Sequence, residues 1–142
     1  MAGEILLAVD LGDPDSIQRV LPVAEDLAAR QGAILHVLTV VPSYSMPIVG
    51  SFFPEGFQEK ALQASKEALT EALNKNAKAP DAIKGHVTQG TIYDEIMKAA
   101  DKLGCELIVM EAHRPALKDY LLGPNAARVV RHANQSVYVI RH

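Results

Sequence analysis

Apolar positions along the chain follow two alternating rhythms. EILLAV (4–9) and AILHVLTVV (33–41) are nearly unbroken apolar runs, and ELIVME (106–111) and SVYVI (136–140) are shorter ones. Continuous apolar character over so few residues predicts strands buried on both faces. IKGHVTQG (83–90) is a further strand candidate, bounded by Gly90. Between strands the spacing turns helical. Ile17, Val20, Leu21, Val23, Ala24, Leu27 and Ala28 recur as one stripe, which predicts a helix capped by Ser16, running to Gln31 and closed by Gly32. Residues 58–78 form an amphipathic stretch with Leu62, Leu69, Ala72 and Leu73 inward. Thr91 to Leu103, with Ile92, Ile96, Met97 and Ala100 as its stripe, and Asn125 to His132 are the remaining helices.

Strand and helix thus alternate from end to end, which predicts an α/β fold: a five-stranded, parallel, doubly wound sheet with helices on both faces and right-handed crossovers. With no repeat, low-complexity tract or linker, a single domain over 1–142 is expected. Residues 42–57 (PSYSMPIVGSFFPEGF) read as a loop, with three prolines and two glycines among apolar side chains. So apolar a loop is expected either to fold over a ligand as a flap or to pack on another subunit.

Charge and composition narrow the function classes. Fourteen basic and 17 acidic residues give a net charge of −3, which argues against a nucleic-acid-binding surface. No apolar run approaches the roughly 20 residues of a membrane span. The start, MAGEILLAVD, lacks the basic region of a signal peptide and reads as a strand, so a cytoplasmic location is expected. A lone Cys105 excludes an internal disulfide and a cysteine metal cage; it is expected to be a packed small hydrophobe. His36, His86, His132 and His142 show no metal-ligand spacing.

Candidate chemistry gathers where the strands end. Doubly wound sheets bind ligands beyond the carboxyl ends of their strands, at the point where strand order reverses. Here those ends are Asp10, the pair Val40 and Val41, and Met110 with Glu111. Downstream, EAHRPALKDYLLGPNAARVVRH (111–132) places His113 and Arg114 ahead of a Gly123-Pro124 turn that opens a helix. A helix start presents unpaired N–H groups suited to phosphate. Asn125 serves there either as a helix cap or as a phosphate ligand. Asp10 likewise serves either as a ligand contact or as a cap of the loop that follows it.

Val9-Asp10 and the helix after it, LHVLTVVP (35–42), the Gly90 turn and above all HRPALKDYLLGPNAARVVRHANQSVYVIRH resemble the universal stress protein family. The likeness is strongest to its short, single-domain branch in enteric bacteria and covers nearly the whole chain. It implies a Rossmann-like, adenine nucleotide α-hydrolase-like fold with strand order 3-2-1-4-5. It also implies a site for ATP or a related adenine nucleotide, with or without magnesium. The adenosine positions then fall on Ala8, Asp10, Val40 and Met110. Nucleotide-binding members carry glycine, two residues, glycine, nine residues, then glycine with serine or threonine. On this chain the first glycine falls on Glu111, the second on Arg114, the spacer is eight residues, and the closing pair is Gly123-Pro124.

Those departures pull in different directions. Arg114 offers a guanidinium to a phosphate, with His113 as a second donor. Pro124 removes an N–H and a hydroxyl where phosphate would sit, while also suiting a first helical turn. Glu111 would repel phosphate or, turned to a ribose, accept its hydroxyls. No Walker-type loop or acidic metal pair is present, so a dedicated enzyme is not expected. DLGDPDS (10–16) also differs from the SGGxDS-like phosphate run of nucleotide α-hydrolases. The leading expectation is a nucleotide-binding stress-response protein; the alternative is a dimeric interaction module of the same fold that holds no nucleotide. Family dimers imply a homodimer through the edge strand 136–140, or a tetramer built on it.

Overall fold

The computed structural model describes residues 3–42, 57–112 and 123–141. In chain order these form β1 (Glu4–Val9), α1 (Pro14–Gln31), β2 (Ile34–Pro42), α2 (Phe57–Asn76), β3 (Ile83–Gly90), α3 (Ile92–Leu103), β4 (Leu107–Glu111), α4 (Gly123–His132) and β5 (Ser136–Ile140). A short 3-10 turn, Pro80–Ala82, precedes β3. The strands make one sheet in the order β3-β2-β1-β4-β5, parallel throughout. That is the order and the layering the sequence and its resemblance imply. The apolar loop expected over 42–57 falls, from 43 to 56, outside the described residues.

Alternation along β1 explains its unbroken apolar run. Ile5, Leu7 and Val9 join a core with α1 and α2, through Ile17, Val20, Leu21, Leu69 and Leu73. Leu6 and Ala8 point the other way, into a core shared with Ile96 and Ala100 of α3 and Ala126 and Val129 of α4. A central strand with helices on both faces has no side left for water, so both parities must be apolar. Fully burying one such aliphatic side chain stabilises the fold by about 1.5–3 kcal/mol.

The start of α1 departs from expectation. Its cap is Asp13, whose Oδ1 accepts the N–H of Ser16 at 3.3 Å, with Pro14 as the first helical residue. Aspartate before proline is the stronger start signal, because proline gives up an N–H that has no partner in the first turn. Ser16 instead points inward and is only 1% exposed. The helix ends as expected at Gly32, in the left-handed region at φ 62°. Among the described residues no helix is long and apolar enough to cross a membrane.

Candidate functional site

Strand order reverses between β1 and β4, so the crevice lies beyond their carboxyl ends. Asp10 follows β1 immediately. Its Oδ1 accepts the N–H of Gly12 at 2.8 Å, and its main-chain oxygen accepts the N–H of Asp13 at 3.1 Å. The carboxylate therefore folds the β1–α1 loop into a tight turn at the crevice rim. A Cβ on Gly12 would come within 3.1 Å of that carboxylate oxygen, so a residue without a side chain fits the turn. Val40, half-buried, packs on the α3/α4 side of the sheet. Ala8 and Met110 share that face and are 3% and 0% exposed, within the core that supports the crevice.

Glu111 closes β4 and turns toward α1. Its carboxylate is 1% exposed. Ser16 donates its hydroxyl to Oε1 at 2.6 Å; Arg19 donates Nε–H to Oε2 at 3.0 Å and Nη2–H to Oε1 at 3.3 Å. Arg19 also meets Asp13 at 3.4 Å. The hydrogen bond with Glu111 is the chief reason the Arg19 pKa is raised above its ordinary value. Two-pronged pairing of this kind is what makes a buried carboxylate tolerable. The sequence reading missed Ser16 and Arg19 as its partners; the signal was Asp13-Pro14, which takes over the capping role and leaves Ser16 for another.

At the opposite wall the starts of two helices dock. Thr91, at the start of α3, makes no side-chain cap. Asn125 supplies it from α4: its Oδ1 accepts the N–H of Tyr93 at 3.0 Å. The Arg128 guanidinium lies over the Tyr93 ring, 4.8 Å from its centroid. Asn125 is thus a cap, but of the neighbouring helix. Gly123 and Pro124 are the first two residues of α4, which begins two residues ahead of the expected Asn125. His113 and Arg114 lie outside the described residues. At the end of β3, Gly90 has φ 150°, and a Cβ there would approach the Glu95 carboxylate to 2.8 Å.

A second polar cluster was not foreseen. His36 sits inside the apolar run of β2, 2% exposed. Its Nε2 lies 2.8 Å from Oε1 of Glu4, and its Nδ1 lies 2.8 Å from Nε2 of His86. A histidine inside a buried strand demands a partner, and that was the available signal. Cys105 is buried at 5% exposure, and burial, helped by nearby Glu4, pushes its thiol up to about 11. Among the described residues no group of three or more His, Cys, Asp or Glu is placed to hold a metal ion.

Comparison with known proteins places this geometry. The model of the universal stress protein family matches residues 1–141. Universal stress protein G of Shigella flexneri is 31% identical over 139 residues, covering 96% of this chain and 97% of its own. Among solved structures, the universal stress protein UspA from Lactobacillus plantarum superposes with a TM-score of 0.75 at 26% identity, covering 98% of this chain and 97% of that one. A universal stress protein in complex with cAMP, at 22% identity and covering 97% of this chain and 95% of that one, shares the fold with a TM-score of 0.63.

Proposed function

We propose, for a chain that belongs to the universal stress protein family, that it binds ATP or a related adenine nucleotide in the crevice between the ends of β1 and β4. In this reading it acts in stress response by binding rather than as a dedicated catalyst. The observation that carries the reading is Asp10, held at the strand-order reversal by the Gly12 turn. Val40 on the adjacent strand offers a half-buried apolar surface to a base. Ala8 and Met110 support that surface from within the core. Because α4 follows β4 in a parallel sheet, its first turn starts on the carboxyl-end side and, Pro124 apart, offers main-chain N–H groups there, with Asn125 joining it to α3. A fold relative in complex with cAMP adds that this architecture accommodates an adenine nucleotide elsewhere. His113 and Arg114 are proposed as the phosphate donors, and magnesium, where present, as carried by the nucleotide.

Glu111 bears on the same site in a different way. Its charge is already taken up by Ser16 and Arg19, so it adds little repulsion at the crevice. The carboxylate that the family pattern makes a liability is here neutralised from beneath.

Self-association is part of the proposal. β5 is an edge strand; Tyr138 on it is 44% exposed, and Val130 on the adjoining α4 is 55% exposed. An uncovered edge with apolar side chains beside it is suited to pairing with its own copy about a two-fold axis. These two residues equally favour the second reading, an interaction module of the same fold without nucleotide. Mass spectrometry of small molecules released on denaturing the freshly purified protein separates the two. An adenine nucleotide near one per chain supports binding; none released, and none taken up on incubation with ATP, leaves the interaction module.

A further inference from the structure

Beside the edge strand β3 and α3 lies a cleft of about 560 Å³, none of whose lining residues is among those placed at the crevice between β1 and β4. Leu38, Val87, Ala99 and Leu103 line it with apolar surface. Lys66 of α2 and Lys98 and Lys102 of α3 stand around it as cations. Lys98 is partly satisfied by Asp94 at 3.0 Å and Glu95 at 3.7 Å; Lys66 and Lys102 make no ion pair among the described residues. Thr88 in the same lining has a buried hydroxyl oxygen with no hydrogen-bond partner. A cavity of this size with an apolar lining and a few convergent polar groups has the anatomy of a small-molecule site.

His86 also lines this cleft, and the chain behind it fixes what it can offer. With Glu4 ionised, its oxygen accepts a hydrogen from His36 Nε2. In the neutral His36 ring Nδ1 is then an acceptor, and His86 Nε2 is the donor across the 2.8 Å contact. The imidazole nitrogen left over, His86 Nδ1, carries a lone pair when the ring is neutral. Adding a proton there breaks no hydrogen bond in the chain and creates a new donor.

We propose that this cleft binds a small organic carboxylate, with its apolar body against Leu38 and Leu103 and its anion held by Lys66, Lys102 and a protonated His86. Binding takes up a proton on Nδ1 and is therefore stronger at lower pH, by at most about tenfold per unit. The groups facing His86 are consistent with that coupling. Burial first, then His36 behind it and Lys84 on its own strand, disfavour the extra proton in the empty cleft; Lys66, Lys98, Lys102 and Glu95 line the same cleft, and Glu4 stands behind His36. An incoming carboxylate cancels the surplus positive charge.

The test is NMR of the histidine ring C–H signals across a pH titration, with hexanoate as the probe and inorganic phosphate as the control anion. Hexanoate is expected to shift the His86 signals and raise its midpoint by about half a unit or more, while phosphate leaves the midpoint in place. The double variant Lys66→Ala/Lys102→Ala, altered only at exposed positions, is expected to lose most of the response. An unmoved His86 midpoint at saturating hexanoate overturns the proposal, as does an equal response to phosphate or an undiminished response in the double variant.

Discussion

Ser16 and Glu111, 95 residues apart, meet through a 2.6 Å hydrogen bond that ties the first turn of α1 to the end of β4. Arg19 completes the bond from one turn further along the helix. The joint ties the helix that follows β1 to the end of β4, and β1 and β4 are the two strands between which strand order reverses.

Glu111→Ala leaves the Arg19 charge and the Ser16 hydroxyl without this partner. Because Arg19 is one-third exposed and water can reach it, the expected loss is about 2–3 kcal/mol rather than the full cost of an isolated buried charge. Chemical denaturation measures it. A double-mutant cycle with Arg19→Ala should recover a coupling of about 1 kcal/mol or more; additive losses would show that the pair contributes nothing of its own.

Asn125→Ala removes the cap of α3 without touching α3 itself. The expected cost is about 1 kcal/mol, read as a lowered midpoint in thermal unfolding. Hydrogen exchange at the Tyr93 amide should accelerate more than exchange in the middle of α3. Equal acceleration along the helix would mean that the Tyr93 contact is not the cap.

Stability depends on pH through two groups with opposite signs. Burial, with His36 and Lys84 nearby, lowers the pKa of His86 below its ordinary value of 6.5. The unfolded chain therefore takes its proton first as pH falls, so stability declines from about neutrality downward through that range. His86→Gln should flatten this slope. Cys105 holds its proton to about 11 against an ordinary 9.0, so its contribution is complete below 9.0 and is lost as pH rises between the two values. A thiol so buried should react with a disulfide reagent at least about tenfold more slowly in the native protein than in denaturant.

Tyr138→Asp places a charge at the centre of the exposed edge strand β5. If two copies pair there, light scattering should show dimers for the parent protein and monomers for the variant. Identical masses for both would remove this edge from the interface.

The architecture was legible because its signals are local and repeated. Five strands with helical stripes between them leave few arrangements once the crossovers are right-handed. The C-terminal resemblance supplied the strand order. The site was legible only in part, as places and not as contacts. Asp10 and Asn125 each stood between capping and ligand contact. Asp10 makes its loop turn, while Asn125 caps a helix that contact between α3 and α4 brings to it, which no spacing in one segment reveals. Ser16 looked like a cap because it precedes an apolar stripe, yet Asp13-Pro14 begins the helix three residues earlier and turns Ser16 inward. Glu4, His36 and His86 are 32 and 50 residues apart and meet because parallel register sets β1, β2 and β3 side by side. Such pairings exist only once the sheet is assembled.

Calorimetric titration with ATP, run in parallel on the parent protein and Asp10→Ala, tests the central claim most directly. Saturable heat near one nucleotide per chain is expected, with affinity about tenfold weaker in the variant from loss of one well-placed polar contact and its turn. Absence of heat with ATP, ADP and AMP, or an affinity unchanged by Asp10→Ala, would contradict a nucleotide site between the ends of β1 and β4.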